Sequence, residues 1–285
     1  MKPYIKLLRI SHYLKNVLVF LPLVFAGKVF DMDYLLKALI GFVVFSLLSS
    51  IVYIVNDIVD CEKDKLHPTK KNRPIASGVI SKARAGIIAL ILGFIICVLV
   101  TLVGGWSTSA WLLVYLVCNF AYSVSLKNVP IVDVTILSTG FLLRVLYGAT
   151  ITGIVVSNWL YLTILTLSFY MGLGKRRNEW SADDNKTRDV LRFYTKNFLD
   201  KNMYVCLTLA VTFYSLWCID RSAVTPNIML TIPLVLVICM KYSLNVEGDS
   251  DGDPIGIVLN DKWLIGLGLV YVIITMYMIY FGGVV

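Results

Sequence analysis

From Ala38 to Val55 the chain runs without a charged residue, and apolar stretches of similar character recur near 16–30, 37–59, 84–103, 107–126, 131–152, 157–174, 202–219, 227–245 and 263–283. Backbone amides in hydrocarbon must find partners within their own segment, so stretches of about 20 such residues fold as membrane-crossing helices. The expected architecture is an all-α polytopic membrane protein with nine transmembrane helices and short connections. Composition excludes the main alternative: 15% of the 285 residues are charged and 58% are hydrophobic, whereas a soluble domain carries roughly a quarter charged residues. The first stretch is the shortest and contains Pro22; it is expected to be retained in the mature protein rather than removed as a leader.

The charges sort by side. If the stretches alternate across a bilayer, the N-terminus and the connections near 60–83, 127, 175–201 and 241–262 share one face and hold 22 of the 26 Lys and Arg residues. The other face holds Lys28, Lys37 and Arg221, and Arg144 falls inside a stretch. The positive-inside rule then predicts a cytoplasmic N-terminus and cytoplasmic long loops, in a bacterial-type inner membrane. The formal charge of +8 is accordingly a topology signal, and no nucleic-acid partner is expected. Six cysteines without a CxxC or Cys/His cluster favour neither zinc nor a disulfide framework. Trp106, Trp111, Trp159, Trp217 and Trp263 lie near predicted span ends and suit an interfacial belt.

Polar chemistry concentrates where the second stretch ends, at Asn56-Asp57-Ile58-Val59-Asp60-Cys61-Glu62-Lys63-Asp64. At about 100° per residue, Asp57, Asp60 and Asp64 fall on one helical face. Three carboxylates there repel one another, and a helix C-terminus disfavours them further. A compensating cation answers this, and hard oxygen ligands on one face suit Mg²⁺ shared with a phosphorylated substrate. Neutralisation by neighbouring bases is the simpler alternative. Next come His67, Lys70, Lys71 and Arg73, in a loop shaped by Pro68, Pro74 and Gly78. His67, Lys71 and Arg73 are candidate anion contacts, although a basic loop can equally meet anionic lipid.

Other candidates lie further along. Asp133 and Arg144 are eleven residues apart on one predicted helix face, with Gly140 between them, and an intramembrane Arg is a functional candidate or a packing device. Lys175 and Glu179 are spaced as a helix pair, which by itself is weak. Asp249-Ser250-Asp251-Gly252-Asp253 has the acidic spacing of a calcium loop, but Pro254 and Asn260 stand where Gly and Glu are required. His12 reads as structural or as lining the entrance. No serine-hydrolase, zincin, Walker or dinucleotide fingerprint is present.

Taken together, Asn56-Asp57-x-x-Asp60-x-x-x-Asp64 followed by Arg73-Pro74 and Gly78 resembles the first aspartate motif of the UbiA superfamily of intramembrane prenyltransferases. Further matches are Leu14-Lys15-Asn16-Val17-Leu18-Val19-Phe20, His67-Pro68-Thr69-Lys70, Tyr122 to Asp133, Gly140-Phe141-Leu142-Leu143-Arg144, Gly174-Lys175-Arg176 with Glu179, and Gly252-Asp253-Pro254 with Asp261-Lys262. These are similar to the phosphoribosyl-transferring branch. One departure supports that branch: where the aromatic prenyltransferases carry a second DxxxD motif, this chain has Lys175-Arg176-Arg177-Asn178-Glu179, with Asp183-Asp184 beyond.

The resemblance implies a single transmembrane domain over residues 1–285, with a cavity opening to the cytoplasm. It implies Mg²⁺-dependent transfer of 5-phosphoribose from 5-phosphoribosyl-1-diphosphate to a polyprenyl phosphate lipid. On that reading Asp57, Asp60 and Asp64 hold the metal, assisted by Asn56. Lys15, Tyr122, Lys127, Arg144 and Lys175 are candidates for the lipid phosphate or sugar phosphate, and Asp133 and Glu179 orient them or the ribose hydroxyls. A homo-oligomer is left open. The alternatives are a prenyl diphosphate transferase with a polar acceptor and, from another class, a transporter; acids gathered at one face disfavour transport.

Overall fold

The computed structural model describes residues 2–67, 70–103, 105–182, 189–248 and 253–282. Among them there is no strand. The chain begins with α1 (Lys2–Leu8), a 3₁₀ stretch over Ile10–Phe20 and α2 (Leu21–Phe25), followed by α3 (Met32–Val59), α4 (Cys61–Leu66), α5 (Lys82–Val103) and α6 (Gly105–Val124). It continues through α7 (Val132–Thr152), α8 (Asn158–Ala182), α9 (Lys196–Arg221), α10 (Thr231–Glu247), α11 (Pro254–Asn260) and α12 (Lys262–Phe281).

Among the described residues, seven helices are long and apolar enough to cross a membrane: α3, α5, α7, α9 and α12 over their whole lengths, Ser107–Val124 of α6, and Ile228–Glu247 around α10. At a rise of about 1.5 Å per residue, the 28 residues of α3 span about 42 Å, more than the hydrocarbon core requires, so its last turn can project beyond it. On α5, Leu90, Phe94 and Leu102 are 76%, 72% and 73% exposed; in water that surface would be a liability, and in lipid it is the ordinary solvent contact.

Two of the nine expected spans are not among these seven helices. The stretch near 16–30 lies largely in the shorter apolar helical run Ile10–Phe25, made of the 3₁₀ run and α2, in which Asn16 is buried and Pro22 lacks a backbone donor. The stretch near 157–174 is part of the 25-residue α8, which continues through Lys175, Arg176, Arg177 and Glu179 and is not among the seven.

The residues pack as two compact units. The first comprises Met1–Leu23, Lys28–Val124 and Leu143–Ile154, the second Val24–Gly27, Ser125–Leu142 and Val155–Val285. Val44, Phe45, Leu48, Leu112, Tyr115 and Tyr147 are central to one core cluster of the first; Tyr170, Leu191, Leu199, Met203 and Val246 belong to that of the second. In the first unit, Gly148 lets the backbone of Val19 approach so closely that a Cβ would lie 2.1 Å from the Val19 carbonyl oxygen. Gly148→Ala is therefore expected to cost about 1–3 kcal/mol, read as a lowered Tm in detergent; an unchanged Tm would show that the 3₁₀ segment yields freely.

Candidate functional site

The last turn of α3 carries Asp57, and the chain bends at Asp60 before α4 brings Asp64 round. Asp57 and Asp64 are only 2% and 4% exposed. The Arg73 Nη1 donates to Asp57 Oδ1 at 3.2 Å and to Asp64 Oδ2 at 2.6 Å, while Arg9 Nη2 donates to Asp57 Oδ1 at 2.7 Å. Two buried carboxylates thus converge on one guanidinium, with a second closing from the N-terminal segment.

Local structure explains how both arginines arrive. The loop after α4 is pinned by Ile75 and Ile80, which are buried with Leu7, Ile54 and Cys61, and it turns at Gly78, whose φ of +78° suits glycine. Pro74 is buried beside Arg73, and Ser77 N–H donates to the Arg73 carbonyl at 2.9 Å. Arg9 lies at the junction of α1 and the 3₁₀ run with φ 51° and ψ 50°, a left-handed conformation that a non-glycine residue adopts at a cost of about 1–2 kcal/mol. Its guanidinium lies 4.5 Å from the centroid of the Tyr53 ring, and the Tyr53 hydroxyl is 3.4 Å from His12 Nδ1.

Beside Asp57 opens a cavity of about 490 Å³ whose polar lining includes Lys6, Arg9, His12, Lys70 and Arg73. Of the loop residues singled out from sequence, Arg73 lines it, whereas Lys71 is exposed and not part of the wall; Lys70 and Asn72 take its place. His67 is half-buried, with Nδ1 3.4 Å from the backbone N–H of Lys70; Pro68 and Thr69 lie outside the described residues. Asn56 accepts a hydrogen bond from Ser123. On the exposed side of α4, Lys65 and then Lys82 hold the Glu62 carboxyl below its usual range.

The donor set fits a hard divalent cation in part. Asp57 and Asp64 offer two anionic oxygens to a single positive group, as such an ion requires. Asp60, half-buried at the bend, does not complete a three-carboxylate set: among the described residues no group of three His, Cys, Asp or Glu side chains is assembled for a metal.

Arg144 is buried in the first unit. Its Nε donates to Asn16 Oδ1 at 2.7 Å and its Nη2 to the Tyr115 hydroxyl at 3.3 Å, and the guanidinium lies 5.0 Å and 5.2 Å from the Phe45 and Tyr115 ring centroids. Asn16 also donates to Ser46 at 3.0 Å. Arg144→Lys cannot reproduce this fork and is expected to lose about 2 kcal/mol of stability, seen as a lower Tm; a wild-type Tm would mean that the guanidinium bonds contribute nothing. Lys15 and Tyr122 are half-buried in the same unit.

In the second unit, the fully buried Arg176 donates from Nε to Asp133 Oδ2 at 2.5 Å and from Nη1 to Glu179. The Tyr194 hydroxyl donates to Asp133 Oδ1 at 2.6 Å and accepts from the N–H of Ile131, whose φ is +69°. Burial, and then the Asp133 carboxylate, push the Tyr194 phenol up. Sequence reasoning named Asp133 and Glu179 but missed their common partner; the Lys175-Arg176-Arg177 run was the available signal. Arg177 Nε meets Asp200 at 2.9 Å. Lys127 and Lys175 are half-buried. Asp261 is bonded by Lys241 and Asn245, each at 2.8 Å; Asp183, Asp184, Asp249, Asp251 and Gly252 lie outside the described residues.

Residues 17–253 match the UbiA prenyltransferase family. The chain is 34% identical over 281 residues to the decaprenyl-phosphate phosphoribosyltransferase of Mycobacterium tuberculosis (H37Rv), covering 94% of this chain and 91% of that one. It is 31% identical to the enzyme of the same name from Corynebacterium glutamicum, covering 97% and 86%. A UbiA homologue from Archaeoglobus fulgidus bound to GPP and Mg²⁺ superposes with a TM-score of 0.72 at 17% identity over 97% of this chain and 99% of that one. A UbiA homologue from Aeropyrum pernix gives 0.64 at 12% identity over 92% and 98%.

Proposed function

This chain belongs to the UbiA prenyltransferase family, and on that premise we propose that it transfers 5-phosphoribose from 5-phosphoribosyl-1-diphosphate to a polyprenyl phosphate, releasing diphosphate. It is an integral membrane protein and a transferase; we read residues 1–285 as one domain in a bacterial inner membrane, with the loops of the site on the cytoplasmic side. The observation that carries the proposal is the pair of buried carboxylates, Asp57 and Asp64, at the end of a membrane-length helix and beside a cavity rich in cationic side chains. That combination suits a substrate bearing diphosphate at one end and phosphate at the other. The nearly full-length likeness to two phosphoribosyltransferases supports the sugar donor.

In the reaction, an anionic oxygen of the lipid phosphate forms a bond to C1 of the ribose, and the C1–O bond to diphosphate breaks with its electron pair. The nucleophile is already ionised, so the protein needs no strong general base. Its work is to hold two anions together and to stabilise charge growing on the leaving group. Asp57 and Asp64 would hold Mg²⁺, which when bound would neutralise the departing diphosphate. Arg9 and Arg73 hold the carboxylates in the absence of substrate and are within reach of diphosphate oxygens once it arrives. Arg73 is held by its loop and serves orientation, and Arg9, stacked on Tyr53, closes on Asp57 from the N-terminal segment.

Purified protein in detergent, given Mg²⁺, polyprenyl phosphate and ribose-labelled donor, is expected to put label into the organic phase and release diphosphate, both lost with EDTA. No labelled lipid, together with turnover of a prenyl diphosphate and an aromatic acceptor, would move the activity elsewhere within the family. Uptake of label into sealed vesicles without chemistry would indicate transport.

A further inference from the structure

We propose that the cavity beside Asp57 is a phosphate-monoester subsite in which Lys6 and Lys70 supply the two positive charges. The inference rests on the donor reading above and extends it to Lys6, which no motif contains, and to Lys70, which closes the His67-Pro68-Thr69-Lys70 match. Arg9 and Arg73 face the cavity but are engaged with Asp57, the acid in its wall. Lys6, at the end of α1, and Lys70, in the loop after α4, are in no ion pair among the described residues, and they meet at this cavity from segments far apart in the sequence.

Two uncommitted ammonium groups complement a phosphate monoester, which carries close to two negative charges at neutral pH. Ser11 and Asn72 also line the wall, and both residue types carry neutral hydrogen-bond donors. A volume of about 490 Å³ is within the ordinary range for a small-molecule site. A diphosphate directed to the carboxylates by a metal does not need these lysines, whereas a phosphate end without a metal does. Both substrates present such an end: the 5-phosphate of the sugar and the headgroup of the lipid.

The test uses the full chain in uncharged detergent, with wild type, Lys6→Gln/Lys70→Gln and Lys6→Arg/Lys70→Arg. Ribose 5-phosphate and geranyl phosphate are the probes and dimethyl phosphate the diester control, with the shift in Tm as the binding readout. At least one monoester is expected to raise the wild-type Tm, to lose that effect in the Gln pair and to keep it in the Arg pair. The substrate bearing that phosphate should then show a KM raised at least about tenfold in the Gln pair. Dependence confined to ribose 5-phosphate and donor KM assigns the subsite to the sugar; dependence confined to geranyl phosphate and lipid KM assigns it to the headgroup.

Shifts indifferent to both lysines, or the same lysine-dependent shift from the diester, overturn the proposal. Its failure is separable from that of the donor reading. Phosphoribosyl transfer with unchanged KM values removes the subsite alone, and lysine-dependent monoester binding without phosphoribosyl transfer removes the donor reading alone.

Discussion

Asp57→Asn is expected to give a folded, membrane-inserted protein whose phosphoribosyl transfer has fallen by at least about a thousandfold. The amide is nearly isosteric and retains an oxygen that can accept from Arg9 and Arg73, so the bonds organising the site have a replacement acceptor. What disappears is the negative charge. A neutral oxygen is a far poorer ligand for a hard divalent ion, and the leaving diphosphate then departs without its countercharge. Asp64→Asn should follow the same course, since it is the other buried carboxylate sharing Arg73. The assay is organic-extractable label from the ribose-labelled donor, with Tm and detergent-extracted yield as controls for folding. Near-normal turnover in both variants would remove the metal–diphosphate assignment at this pair.

Arg176→Met should be the most damaging change to folding. Arg176 is fully buried between Asp133, also fully buried, and Glu179. Removing the guanidinium takes the partnering cation from the fully buried Asp133 carboxylate, at a cost of about 3–5 kcal/mol. Most proteins have only about 5–15 kcal/mol of stability in total, so the variant should be recovered in low yield and with a much reduced Tm. Adding Asp133→Asn removes one stranded charge while keeping an acceptor for Tyr194, and part of the Tm should return. A wild-type Tm for Arg176→Met would show that solvent reaches this cluster.

These two sites differ in how far they were legible in the sequence. Asp57 announced itself, because an acid following a long uncharged run requires compensation wherever the helix packs. The surrounding motif, together with Arg73-Pro74 and Gly78, carried the family resemblance, and residues 17–253 match that family. Arg176 gave no comparable signal: a basic run closing an apolar stretch reads as a cytoplasmic flank, yet its middle member turns inward to an acid 43 residues earlier. Arg9 was equally silent, since its partner lies 48 residues away. Lys70 and Lys71 are neighbours with the same side chain, and only the path of a short turn decides that Lys70 lines the cavity.

The helix count divides along the same line. Continuous apolar runs such as those of α3, α5 and α12 specify membrane helices by themselves, because backbone satisfaction in lipid is a local demand. The stretch near 16–30 forms part of the shorter apolar helical run Ile10–Phe25, and its Asn16 bonds Ser46 and Arg144 across 30 and 128 residues, contacts that no local pattern announces.

The sequence by itself determined the solvent of this protein, its helical character, its family and the acids at the centre of the candidate site, all of which follow from properties of adjacent residues. Tertiary structure alone decided which cations answer those acids, which basic residue faces the cavity and which is only exposed, and that Arg144 forms a packed network. Those outcomes depend on side chains converging from distant segments, and helical periodicity gives the direction of a side chain on its own helix but not the identity of what the fold sets opposite it.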